Sequence, residues 1–128
     1  MKTDLELIST EAAPKAIGPY SQAVAWDNVV FLSGQIPLDP ATGALVEGGF
    51  SVQAQRALAN LDAVLQAAGC SRSRVVSARV YLTDLARFGE FNEIYASFFG
   101  EHRPARAVVG VAALPRGASV EIEAVAAR

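Results

Sequence analysis

Pro104-Ala105-Arg106-Ala107-Val108-Val109-Gly110 and Val120-Glu121-Ile122-Glu123-Ala124-Val125-Ala126 together decide how this chain folds. Both are short apolar runs, and the segment between them, Leu114-Pro115-Arg116-Gly117, carries turn chemistry. The stretch therefore predicts two strands joined by a turn. Val120, Ile122, Ala124 and Ala126 fall on one face of the second strand and Glu121, Glu123 and Val125 on the other, because side chains alternate across a strand. Arg106 opens the first strand. One cation and one or two carboxylates projecting from a small sheet can anchor an anion and handle a proton.

Upstream, Phe88, Phe91, Tyr95 and Phe98 recur at helical spacing with Ile94 beside them, after a Thr83-Asp84 cap and before Gly100. Gly89 predicts an irregular first turn. Val76, Ala78, Val80 and Leu82 alternate with Ser77, Arg79 and Tyr81, a strand. From Ser51 to Ala68, an apolar stripe of Ala54, Ala57, Leu58, Leu61, Val64, Leu65 and Ala68 predicts a second helix, with Gln53, Arg56, Asn60 and Asp62 mainly off the stripe and Gly69 just past its end. Tyr20 to Trp26 and Val29 to Leu32 read as a hairpin across Asp27-Asn28. Ser33-Gly34-Gln35 ends its second strand, and 37–43 is a surface loop. Leu5, Leu7 and Ser9 make a weak first strand. The order is strand, hairpin, helix, strand, helix, strand, strand. It predicts an α+β fold, two helices on one face of a single mixed β-sheet. The opposite sheet face has no helix to cover it, so burial against other subunits of a closed oligomer is expected.

The composition bounds the function. A length of 128 residues suits one domain over 1–128, and 52% hydrophobic with 19% charged residues suits a folded chain with part of its surface buried in an oligomer. The net charge is −2 with no run of Lys or Arg, so no nucleic-acid footprint is present. The single cysteine, Cys70, makes no internal disulfide and fits a reducing cytoplasm. Met1-Lys2-Thr3-Asp4 leads into no apolar signal segment, and no run approaches the roughly 20 apolar residues of a membrane helix. One histidine, His102, and one cysteine do not make a usual zinc site. No Gly-rich phosphate loop follows a strand, so no nucleotide cofactor is expected.

Several pieces together resemble the RidA (YjgF-type) family of reactive imine/enamine deaminases along nearly the whole chain. They are 16–22 (Ala-Ile-Gly-Pro-Tyr-Ser-Gln), 31–37 (Phe-Leu-Ser-Gly-Gln-Ile-Pro), Leu61 to Gly69, 80–85 (Val-Tyr-Leu-Thr-Asp-Leu), Pro104-Ala105-Arg106 and Val120-Glu121-Ile122-Glu123. The resemblance implies a chorismate-mutase-like fold and a homotrimer with sites between subunits. It also implies cofactor-free hydrolysis of imines of the 2-aminoacrylate type to 2-oxo acids and ammonia. It places the carboxylate-binding arginine on Arg106 and the acidic residue beside the hydrolytic water on Glu121. The aromatic pocket lining falls on Tyr20, and further substrate contacts on Ser33, Gly34, Asn92 and Val108. Two positions depart from the family pattern: Val108 stands where cysteine is common, and Arg103, in a short approach to Pro104, stands where an aromatic is common.

The chemistry fits those residue types. A guanidinium offers a carboxylate a planar fork of two charge-assisted hydrogen bonds. From spacing alone, a salt bridge from Arg106 to Glu121, Glu123 or a neighbouring subunit is the plainer reading; the Pro-Ala-Arg match reverses it. A carboxylate whose pKa is brought toward working pH can activate water. Glu121 and Glu123 point the same way, and only the resemblance selects Glu121, leaving Glu123 a structural role. Tyr20 can equally be core, Ser33-Gly34 a strand end, Asn92 a surface amide, His102 a solvated loop residue and Cys70 inert. Rival functions are a small-carboxylate or protein-binding module on the same trimer, a ribonuclease or translation inhibitor, and a chorismate-mutase-like isomerase.

Overall fold

The computed structural model describes residues 4–128; Met1, Lys2 and Thr3, read above as leading into no signal segment, lie outside the described residues. The chain runs β1 (Leu5–Ile8), β2 (Ala23–Trp26), β3 (Val29–Gln35), α1 (Phe50–Ala67), β4 (Val75–Leu82), α2 (Phe88–Phe99), β5 (Ala105–Gly110) and β6 (Val120–Ala127). The strands form one sheet in the order β1-β2-β3-β6-β4-β5. β4 and β5 are parallel and every other neighbouring pair is antiparallel, so the sheet is mixed. Both helices pack on one face, as the sequence pattern requires.

The last two strands are not partners, contrary to the simplest reading of the turn between them. β6 inserts between β3 and β4, while β5 lies on the far side of β4 at the sheet edge. The burial pattern gives the reason. β6 has a fully apolar inner face, with Val120, Ile122 and Ala126 at 0% exposure, and a central position satisfies both its edges. β5 is mostly exposed and follows β4 through α2 as a parallel crossover. The 115–117 segment is a single 3-10 turn in a longer connection.

α1 buries Ala54, Ala57, Leu58, Leu61, Val64 and Leu65 against β3 and β6. Its end is a Schellman motif: the Cys70 N–H donates to the Leu65 carbonyl (2.9 Å) and that of Gly69 to Gln66 (3.0 Å), with Gly69 at φ +78°. Asn60 departs from expectation. It is fully buried, and its amide nitrogen donates to the carbonyls of Ile36 (3.1 Å) and Leu38 (2.9 Å), tying the strand-to-loop exit after β3 to the helix.

α2 is entered through the Asp84 cap, whose carboxylate accepts from Ala86 N–H at 3.0 Å, and one 3-10 turn before Phe88. Its buried stripe is Phe91, Tyr95 and Phe99; Phe98 is only partly buried and Phe88 stays exposed. β2 starts at Ala23 rather than Tyr20. The β3–β6 pairing shifts register between Leu32 and Gln35, and in that stretch the Ser33 N–H donates to the Gln22 carbonyl and its hydroxyl to that of Ser21. On the sheet face away from the helices, Leu5, Leu7, Trp26 and Phe31 are half or more exposed.

Candidate active site

Arg106 sits on edge strand β5 opposite Ala78 of β4, so it projects toward the helix side. Its Nη1 donates to Oδ1 of Asn92 on α2 at 2.8 Å. Its guanidinium carbon lies 4.8 Å from the ring centre of Tyr95 and 5.6 Å from that of Phe88. One hydrogen bond and two ring faces thus fix the plane of the fork. No carboxylate among the described residues pairs with it, so the salt-bridge alternative is not made within the chain. It opens on a cleft of about 340 Å³ lined by Asn92, Tyr95, Ala96, Arg103 and Pro104.

Glu121 sits on β6 opposite Tyr81, on the other face of the sheet. Its carboxyl lies against the Cα of Gly34: a Cβ there would stand 2.9 Å from Glu121 Cδ and collide with its Oε2. Gly34 is therefore required as the seat of a carboxyl group. Burial first, and the nearby charge of Glu123 second, push the Glu121 pKa above the ordinary carboxylate range. A hollow of about 50 Å³ joins Glu121 and Gly34 to Tyr20, Gln22, Ile36 and Pro115. The exposed Tyr20 hydroxyl accepts from Ile17 N–H at 3.3 Å. Buried Gln22 holds the 10–14 loop over this hollow, donating to the Pro14 carbonyl at 2.7 Å and accepting from Thr10 N–H at 2.7 Å.

The structure thus gathers the sequence-derived residues into two groups, Tyr20, Gly34 and Glu121 in one and Asn92 with Arg106 in the other. The two groups occupy opposite sheet faces. Ser33 borders the first group, and its hydroxyl donates to the Ser21 carbonyl at 2.6 Å. Val108 follows Arg106 on the same face, but its side chain packs into the core. Glu123 accepts from the Tyr81 hydroxyl at 2.9 Å with Arg79 at 3.8 Å, a structural network. His102 is partly buried in the loop before Pro104, with its Nε2 2.7 Å from the Val75 carbonyl. Burial pushes the Cys70 thiol up more than Arg128 and Arg74 pull it down, which keeps it protonated. Sequence reasoning treated Tyr95 as core and missed its second use, as the face beneath Arg106; its place one helical turn from Asn92 was the available signal. Among the described residues, no cluster of His, Cys, Asp or Glu could hold a metal ion, and no helix is long and apolar enough to cross a membrane.

A family model described as Endoribonuclease L-PSP matches residues 10–128. The 2-iminobutanoate/2-iminopropanoate deaminase of Mus musculus is 54% identical over 121 residues, which span 94% of this chain and 90% of that protein. A RutC family protein of Pyrococcus horikoshii is 50% identical over 121 residues, spanning 94% of this chain and 96% of its own. The crystal structure of a Rid family protein from Yersinia pestis superposes with a TM-score of 0.95 at 43% identity, covering 98% of this chain and all of that one (100%).

Proposed function

The chain belongs to the Endoribonuclease L-PSP family, also called YjgF/RidA, and on that premise we propose that it is a cofactor-independent deaminase hydrolysing reactive 2-imino acids to 2-oxo acids and ammonia. One observation carries the reading beyond kinship. A rigidly held arginine without a carboxylate partner and a half-buried glutamate with an elevated pKa face away from each other across one sheet. Neither half is a site alone. A neighbouring copy seated on the exposed apolar sheet face would bring Arg106 of one subunit to Glu121 of the next, which a closed homotrimer does three times over.

In that joined site Arg106 clamps the substrate carboxylate and orients the C=N carbon. Glu121 takes a proton from water as its oxygen attacks the carbon of the protonated imine, and the C=N π pair moves onto nitrogen to give the neutral carbinolamine. The protonated Glu121 then returns its proton to the nitrogen and, as carboxylate, accepts the hydroxyl proton while the C=O bond forms and the C–N bond breaks to release ammonia. Tyr20 and the Ser33-Gly34 backbone line the substrate, and Asn92 holds the anchor. Val108 contributes only main chain, so no thiol takes part. We place this activity in the cytoplasm, where Cys70 stays reduced. The ribonuclease reading finds no support in a chain of net charge −2 without a basic run.

The test is ammonia release from imines generated in situ by an amino-acid oxidase. Wild type accelerates it, while Arg106→Ala and Glu121→Ala each lose the acceleration and keep the oligomer. A folded, oligomeric wild type that accelerates none of several imines would transfer the site to the rival binding-module reading.

A further inference from the structure

The cleft beneath α2 holds a second cation that this mechanism leaves unused. Arg103, just before Pro104, lines the same cleft of about 340 Å³ as Asn92, Tyr95 and Arg106. Its Nη1 donates to the carbonyl of Gly100 and, at 3.0 Å, to that of His102. These bonds dock the side chain on the carbonyl end of α2, where a cation is favoured. They occupy one terminal nitrogen and leave the rest of the guanidinium for the cleft. No carboxylate among the described residues pairs with Arg103 or with Arg106. Two guanidiniums without counter-ions therefore share one cleft, in a chain whose net charge is −2.

Tyr95 adds an independent sign. It is 6% exposed, lines this cleft, and its hydroxyl is buried with no hydrogen-bond partner. A buried donor without an acceptor is uncommon and calls for one. Both arginines act electrostatically on this hydroxyl, so it lies within the field of the pair. A ligand with one carboxylate answers one guanidinium and leaves the other facing like charge. A ligand with two answers both.

We propose that this cleft selects dicarboxylates: the preferred substrates are 2-imino acids that carry a second carboxylate on the side chain, the imines of acidic amino acids. Arg106 takes the carboxylate next to the imine carbon and Arg103 the distal one, with Tyr95 as a further donor. The word imino rests on the deaminase reading; the preference for two carboxylates rests on the cleft. An aromatic residue at position 103 would bring no such charge.

The experiment is calorimetric binding of oxaloacetate and 2-oxoglutarate, against pyruvate and 2-oxobutanoate, to the intact oligomer. Wild type should bind the dicarboxylates about tenfold tighter, the order that one charge-assisted contact carries. That ratio should fall to about one in Arg103→Met and persist in Arg87→Met, which removes an equal charge from an arginine already paired with Glu90. A wild-type ratio near one, or a ratio that survives in folded Arg103→Met, overturns the inference. Should Arg103→Met not fold, Arg103→Gln decides in its place by the same criterion. Hydrolysis of the imines of aspartate and alanine, run alongside, separates the two readings. Dicarboxylate preference without ammonia release keeps this inference and ends the deaminase reading; ammonia release without preference does the reverse.

Discussion

At the scale of single residues, Glu121 and Gly34 act as one unit. The carboxyl occupies the space a Cβ at position 34 would need, so Gly34→Ala must push it aside. Misplacing a catalytic group by about an ångström costs on the order of a hundredfold in rate. Gly34→Ala should therefore lower kcat by about that factor while circular dichroism and the oligomer stay unchanged. The raised pKa of Glu121 has a kinetic sign. In the proposed mechanism its base form takes a proton from water, and burial and Glu123 push its pKa above that of an ordinary carboxylate. Deaminase activity should thus rise with pH along a limb above the usual glutamate range. Glu123→Gln removes the like charge and should move that limb to lower pH; a limb that stays put would exclude Glu123 as a cause.

Among the elements, α1 does more than cover the sheet. Through Asn60 it satisfies the carbonyls of Ile36 and Leu38, which leave β3 beside the Glu121 hollow. The Asn60 side chain is also held, its Oδ1 accepting from Arg56 Nε at 3.0 Å. Asn60→Ala leaves the buried Leu38 carbonyl without its donor, while that of Ile36 keeps the Leu38 N–H, and should destabilise the fold by roughly 1–3 kcal/mol, read from the denaturant midpoint. α2 has a matching role on the other face. Its core stripe of Phe91, Tyr95 and Phe99 fixes the helix, and the turn bearing Asn92 then holds Arg106. Core packing thus positions both halves of the candidate site.

The whole molecule raises a question of assembly. The outer sheet face carries Leu5, Leu7, Trp26 and Phe31 in the open, an apolar area suited to burial by another copy. The proposed sharing of sites between subunits predicts complementation. Arg106→Ala and Glu121→Ala subunits, each inactive alone, should recover activity when unfolded and refolded together, because random assortment leaves about a quarter of the interfaces with both groups intact. Mixed oligomers that stay inactive would place Arg106 and Glu121 in one subunit's site or remove one of them from the chemistry.

Much of this was legible in the chain itself. Period-two alternation in 120–126 and 76–82 and the stripe of 54–68 fixed the strands, the long helix and which side chains face the core, because burial of one face imposes that period locally. The resemblance at Pro104-Ala105-Arg106 and Val120-Glu121-Ile122-Glu123 supplied the candidate groups, Arg106 and Glu121. Strand order was not legible: a turn between two strands does not say whether a third lies between them, and β4 does. The tertiary structure also put Arg106 and Glu121 on opposite faces, buried Asn60 against the carbonyls that follow β3, and laid Tyr95 beneath the Arg106 guanidinium. Such facts depend on contacts between segments distant in sequence, which local periodicity does not encode, and only the tertiary structure decided them.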